Sequence, residues 1–199
     1  MVIGLTGKAC GGKNVVASDF EQKGWVVVDV DKLGHPVLEE SHEELTKAFG
    51  PDIIRHDGKV DRKALGMLVF ADEEKLRRLE AITHPRMVEA CKSIIHQSES
   101  EGKDVVVLNA ALLHRMRLDE LCDRILFVSS PLLARYRRSK ERDGMEWKRF
   151  MNREKSQKDI TKRNFCPGKE VKILSNRGSL ESLHRQVAEY CDTLTSKKG

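Results

Sequence analysis

No stretch of the 199 residues approaches the roughly 20 consecutive apolar residues that a membrane-spanning helix needs, so no membrane partner is expected. Cysteine is sparse. The five residues, Cys10, Cys91, Cys122, Cys166 and Cys191, are odd in number, widely scattered and free of any C-x-x-C pair. A disulfide framework and a zinc site are therefore not expected, and a reducing, cytoplasmic setting fits best. The first residues, Met1-Val2-Ile3-Gly4-Leu5, lack a basic n-region and read straight into a strand, which argues against a signal peptide. There is no internal repeat and no low-complexity linker. A single core carrying insertions is the economical reading for a chain of this length.

What is present is a hydrophobic fraction of 39%, a charged fraction of 34% and a net charge of +5. The charge is uneven. Between Arg135 and Arg163 stand twelve Lys and Arg against five acids, so that segment carries +7 and the remainder −2. Such an excess points to an anionic ligand, although from charge alone a solvated basic helix is the simpler reading. The segment's aromatics are Tyr136, Trp147 and Phe150, too few to suggest stacking on bases, and no nucleic-acid partner is expected.

Five short apolar runs rich in Val and Ile read as buried strands: 2–6, 25–30, 105–108, 125–128 and 171–174. Their apolar residues run on rather than alternate, the pattern of parallel strands covered on both faces. Helical stretches separate them, which predicts βαβ units in a doubly wound sheet. The first helix is expected from about Gly12 to Lys23 and the last from Leu180 to Leu194, with Ser179 as its cap. Two segments fit the alternation poorly. Residues 32–85 are helical and turn-rich, with Asp72-Glu73-Glu74 opening a helix that turns Leu76 and Leu79 inward. The other is the basic segment 135–163. Both follow strands, where α/β folds carry ligand-binding insertions.

The sharpest motif is Gly7-Lys8-Ala9-Cys10-Gly11-Gly12-Lys13, which follows a strand and opens a helix. Its glycines let backbone N–H groups turn toward phosphate oxygens, the helix N-terminus adds a favourable dipole, and Lys13 would neutralise β- and γ-phosphates. The motif calls next for a Ser or Thr hydroxyl on Mg²⁺; the residue here is Asn14, followed by Val15. At the end of the second strand stands Asp29-Val30-Asp31; residues two apart in a strand face the same way, which would point both carboxylates toward the phosphates. One would accept a proton and the other orient water or a metal; from these residues alone an acidic strand-to-helix corner, with Asp31 as a plain N-cap, is the simpler reading. The run Val105–Leu108 ends in Asn109, where a Walker-B strand would end in Asp. Asn14 and Asn109 are thus the candidate metal positions, and both carry amides. Arg138 and Arg142 lie four apart, on one helix face, suited to closing over a triphosphate.

In this order and spacing the chain resembles the dephospho-coenzyme A kinase family along nearly its whole length. The likeness runs from Gly4-Leu5-Thr6-Gly7 through Asp29-Val30-Asp31, Thr83-His84-Pro85, Ala111-Leu112-Leu113 and Ser130-Pro131 to Arg138-x3-Arg142-Asp143-Gly144, Arg153, Gln157 and Asn176-Arg177-Gly178-Ser179-Leu180. It implies a P-loop NTPase fold, a three-layer α/β/α core with a five-stranded parallel sheet, plus a helical substrate lobe and a small lid. The core would comprise 1–31, 86–134 and 164–199, the coenzyme-A-binding lobe 32–85, and the lid 135–163. The implied activity is ATP- and Mg²⁺-dependent phosphorylation of the 3′-hydroxyl of dephospho-coenzyme A, with Asp31 as base. Asp29 and His84 would touch substrate, Asn176 and Gly178 the adenine side of ATP, and Arg138 and Arg142 would act from the lid. Departures from the family pattern are Lys8, Cys10, Asn14, Asn109, Ala111 and Arg115. They keep two alternatives open: a weakened member that binds ATP or coenzyme A as a sensor, and a related small-metabolite kinase.

Overall fold

Runs of Val, Ile and Leu form five strands, β1 (Val2–Thr6), β2 (Val26–Asp29), β3 (Val106–Asn109), β4 (Arg124–Ser129) and β5 (Glu170–Ser175). They make a five-stranded parallel sheet in the order β2-β3-β1-β4-β5. The computed structural model describes residues 1–195. Every residue of β1 is buried, as the unbroken apolar run predicts for a central strand. In the register Val2 faces Val106 on one side, and Ile3 faces Arg124 on the other. The chain fills one side of β1 with β2 and β3, then the other with β4 and β5. The loop after β1 therefore leaves the sheet where the strand order reverses, the position at which open α/β sheets bind ligands.

Contacts divide the chain into two compact units, Met1–Val28 with Ile95–Gly199, and Asp29–Ile94. The basic segment 135–163 falls within the first of these. The first unit contains α1 (Lys13–Gln22), α6 (Leu132–Asp143), α7 (Trp147–Ser156) and α8 (Leu180–Thr195). Its core joins Ile3 and Leu5 to Val16 and Phe20 of α1, Val107, Leu126 and Val128 of the sheet, and Leu183 and Val187 of α8. Phe20 is fully buried and stacks on Trp25 at 4.7 Å. Truncating such a ring to Ala costs about 3–5 kcal/mol. Ser179 caps α8 as expected, its Oγ accepting from Ser182 N–H at 3.2 Å.

The second unit contains α2 (Val30–Glu40), α3 (His42–Phe49) and α4 (Arg62–Phe70), and α5 (Glu73–Ser100) begins in it. Aspartates open three of its helices by accepting from first-turn N–H groups: Asp29 for α2, Asp61 for α4 and Asp72 for α5. Leu45, Ile53, Val60, Leu65 and Val69 form its core, with Leu76 and Leu79 packed against it. The turn His56-Asp57-Gly58-Lys59 reverses the chain between Ile54 and Val60, which pair antiparallel.

One expectation is corrected here. The second strand ends at Asp29, and Val30 already belongs to α2. Asp29 is the cap and Asp31 lies exposed in the first helical turn. The alternation that would have aligned the two carboxylates does not apply, because residues two apart on a helix point to nearly opposite sides.

Candidate functional site

The site grows out of β1. Gly7 leaves the strand with φ 145°, and a Cβ there would lie 2.5 Å from the carbonyl oxygen of Val128. Gly12 ends the loop with φ 106°, and its Cβ would meet the Asn176 side-chain nitrogen at 2.3 Å. Between them Cys10 adopts the left-handed region at φ 58°, where a side chain costs on the order of 1–2 kcal/mol. The loop closes with Gly11 N–H donating to Lys8 O at 3.1 Å. Lys13 Nζ folds back to Gly7 O at 2.9 Å. Gly12 supplies no side chain to cap α1, so the helix's first N–H groups remain available to an anion.

The loop is braced from two sides. Asn176 is 1% exposed, and its amide donates to Gly11 O at 2.9 Å. Arg138 reaches Cys10 O at 3.2 Å, Ser130 Oγ at 2.8 Å and Asn176 Oδ1 at 3.1 Å. On the other flank, Gln157 Oε1 accepts from Ala9 N–H at 2.9 Å. Glu154 takes Lys8 on one carboxylate oxygen and Arg135 on the other, the latter at 2.7 Å. Burial works to raise the Glu154 carboxyl, but hydrogen bonds from Arg135 and Lys8 outweigh it and hold the group below its ordinary value. Further along, Arg115 grips Asp159 with two bonds of 2.5 and 2.6 Å while His114 Nε2 lies 2.8 Å away. The Arg115 guanidinium, opposed by burial and aided by His114, drives the Asp159 carboxyl far below the carboxylate range.

At the two candidate metal residues, Asn109 Nδ2 points to Asn14 Oδ1 at 3.5 Å. Asn14 is exposed and Asn109 buried, and the Asn109 Oδ1 has no hydrogen-bond partner among the described residues.

The structure therefore brings Gly7–Val15, Asn109, Arg138 and Asn176 together. Val15, in the first turn of α1, packs partly buried against the core, and Gly178 lies exposed in the turn before α8. Arg142 is exposed and bonded through two nitrogens to Asp143 at 2.7 and 2.8 Å. Asp29, Asp31 and His84 belong to the second unit. Sequence reasoning missed Glu154 and Asp159 as organisers. Their signal was faint: two acids within a run dominated by twelve bases.

A glycine-rich loop between the central strand of a parallel sheet and a helix, with a lysine at its head, defines a nucleotide-binding phosphotransferase of the P-loop class. The dephospho-CoA kinase family profile matches residues 1–181. A dephospho-CoA kinase of Fusobacterium nucleatum is 32% identical over 200 residues, covering 98% of each chain. That of Aquifex aeolicus is 34% identical over 200 residues, covering 97% of each. Among solved structures, a Thermus thermophilus protein superposes with a TM-score of 0.80 at 31% identity, covering 98% of this chain and 97% of that one. A Campylobacter jejuni dephospho-CoA kinase gives 0.73 at 23% identity over 100% and 98%, a likeness of fold. The chain belongs to the dephospho-CoA kinase family. It is a kinase of the coenzyme A synthesis route, and ATP is the phosphate donor its family implies.

Among the described residues no helix is long and apolar enough to cross a membrane.

Proposed function

We propose that the chain transfers the γ-phosphoryl group of ATP to the ribose 3′-hydroxyl of dephospho-coenzyme A, giving coenzyme A and ADP. The observation that carries this reading is the braced loop Gly7–Lys13, set in a chain whose family profile spans residues 1–181. Lys13 and the open N–H groups at the head of α1 hold the β- and γ-phosphates. Arg138 holds the Cys10 carbonyl of the loop so that those groups stay aimed, and Arg142, on the adjacent helical turn, answers the charge of the triphosphate. Asp31 is the base for the attacking hydroxyl, with Asp29 and His84 placing substrate, residues 32–85 forming the substrate lobe and 135–163 the lid. Asn176 and Gly178 border the adenine. Catalysis of this kind is mostly positioning and charge stabilisation.

The kinase class implies Mg²⁺, and the residues fit it in a particular way. The unpaired Oδ1 of Asn109 and the exposed Asn14 offer hard amide oxygens and no negative charge. Those two residues would hold the ion, which when bound neutralises charge developing on the phosphates. The same amide pair supports a second reading, a slow member of the family serving as a sensor of ATP or coenzyme A.

Steady-state ADP release across a panel of dephospho-coenzyme A, pantetheine derivatives and nucleosides tests the proposal. Turnover with dephospho-coenzyme A well above every other acceptor is expected. No turnover with any divalent metal, rescued by Asn14→Ser with Asn109→Asp, would favour the sensor.

A further inference from the structure

Lys8 follows Gly7 out of β1, inside the phosphate loop, and its ammonium pairs with Glu154 of α7. The other Glu154 oxygen takes Arg135 of α6 at 2.7 Å. One carboxylate thus serves two cations, and the cluster keeps a surplus positive charge beside the loop. The two claims on Glu154 are unequal. The Arg135 side chain is 6% exposed and needs a charge partner where it stands, whereas Lys8 keeps 24% of its side chain exposed on a flexible stem. Losing Lys8 leaves Glu154 and Arg135 neutralising each other. Losing Glu154 leaves Arg135 buried without a countercharge.

The backbone under Lys8 is held independently of its side chain. Ala9 N–H donates to Gln157, three residues past Glu154 at the end of α7, and Lys8 O accepts from Gly11 N–H at 3.1 Å. The ammonium is therefore able to change partner without the loop changing shape. Exchanging a shared carboxylate for a terminal phosphate brings Lys8 more negative charge and leaves no buried ion unpaired. Resting on the reading of Gly7–Lys13 as the ATP site, we propose that Lys8 is a second phosphate-contacting lysine, drawn from Glu154 to the γ-phosphate of ATP and returned to Glu154 in the ADP complex. ADP ends at the β-phosphate and offers Lys8 no charge that outcompetes Glu154. Lys8 is thus a determinant of ATP over ADP, since discrimination is a difference between two affinities.

Calorimetric titration of the full chain with ADP and with the non-hydrolysable analogue AMP-PNP, at fixed Mg²⁺, tests this. Lys8→Met keeps the stem and the Glu154–Arg135 pair. It should bind AMP-PNP about tenfold more weakly while ADP affinity holds. Glu154→Gln frees Lys8 from the rival charge and should tighten AMP-PNP but not ADP. In the double variant that gain should vanish. A purely structural bridge would weaken both nucleotides alike, or neither, and either pattern overturns the inference. So does a Glu154→Gln gain that persists in the double variant, which would assign the contact to Arg135. Glu154→Gln alone carries the test if Lys8→Met does not fold, and an unchanged ratio of AMP-PNP to ADP affinity there overturns the inference. If wild type binds both nucleotides and Lys8→Met binds them as wild type does, the inference alone falls. If wild type binds neither, the reading of the loop falls and the inference with it.

Discussion

The buried side chain of Asn176 donates to the carbonyl of Gly11 across 2.9 Å, tying the turn after β5 to the phosphate loop after β1. The same side chain lies where a Cβ on Gly12 would project. A residue 165 positions along the chain thus fixes the loop's shape before any ligand arrives. Replacing Asn176 with Ala leaves the Gly11 carbonyl and an Arg138 nitrogen short of a partner. A loss of about 1–3 kcal/mol in urea unfolding is expected, together with a raised KM for ATP.

Lys13 lies against Gly7 O, within the loop it would serve. Lys13→Met keeps most of the side chain's length and removes its charge. The expected result is a fall in kcat of about 100- to 1,000-fold with thermal unfolding little changed. A variant that loses stability to the same degree as activity would assign Lys13 a scaffolding role.

Arg135 is 5% exposed, and Glu154 is the carboxylate that neutralises it beside the loop. Glu154→Leu leaves that guanidinium buried without its charge partner and releases Lys8. Removing one member of a buried pair costs about 3–5 kcal/mol, reduced here because Glu154 retains 16% side-chain exposure. Chemical denaturation of the variant checks the sign and the size, and Glu154→Gln should recover part of the loss.

Asp159 gives a pH signature. Its carboxyl is held down by Arg115 and His114, so its folded pKa lies below the unfolded value near 3.9. Stability from a depressed carboxylate is fully present above the unfolded pKa and is lost as pH falls through the folded one. Asp159→Asn should therefore be less stable than wild type at pH 7, by about 1–3 kcal/mol. The gap between their urea midpoints should narrow steadily below about pH 4. A gap independent of pH would show that the carboxylate's charge contributes nothing.

The sheet and the nucleotide loop were legible because each depends on local pattern. Unbroken apolar runs marked the strands, and glycines at 7, 11 and 12 marked the loop. The turn at Gly58 and the cap at Ser179 were equally local. The corner at Asp29 was misread because Val30 extends the strand's apolar run yet belongs to α2, and the Asp29 cap ends the strand one residue earlier than hydrophobicity suggests. Glu154 and Asp159 were invisible for another reason. Their roles arise from contacts with Lys8 and Arg115, more than 40 residues away in each case, which no spacing within the basic segment encodes. Arg138 was found as a cation facing phosphate, yet in the structure its bonds go to backbone and side-chain oxygens that shape the loop.

The central claim is the identity of the acceptor hydroxyl. Incubating the purified chain with ATP and dephospho-coenzyme A, then resolving the product by phosphorus NMR, addresses it directly. The account predicts a new phosphomonoester on the ribose 3′-oxygen, one per ADP formed, and its loss in Asp31→Asn. ADP formed without that resonance, or a phosphate on any other oxygen, would contradict it.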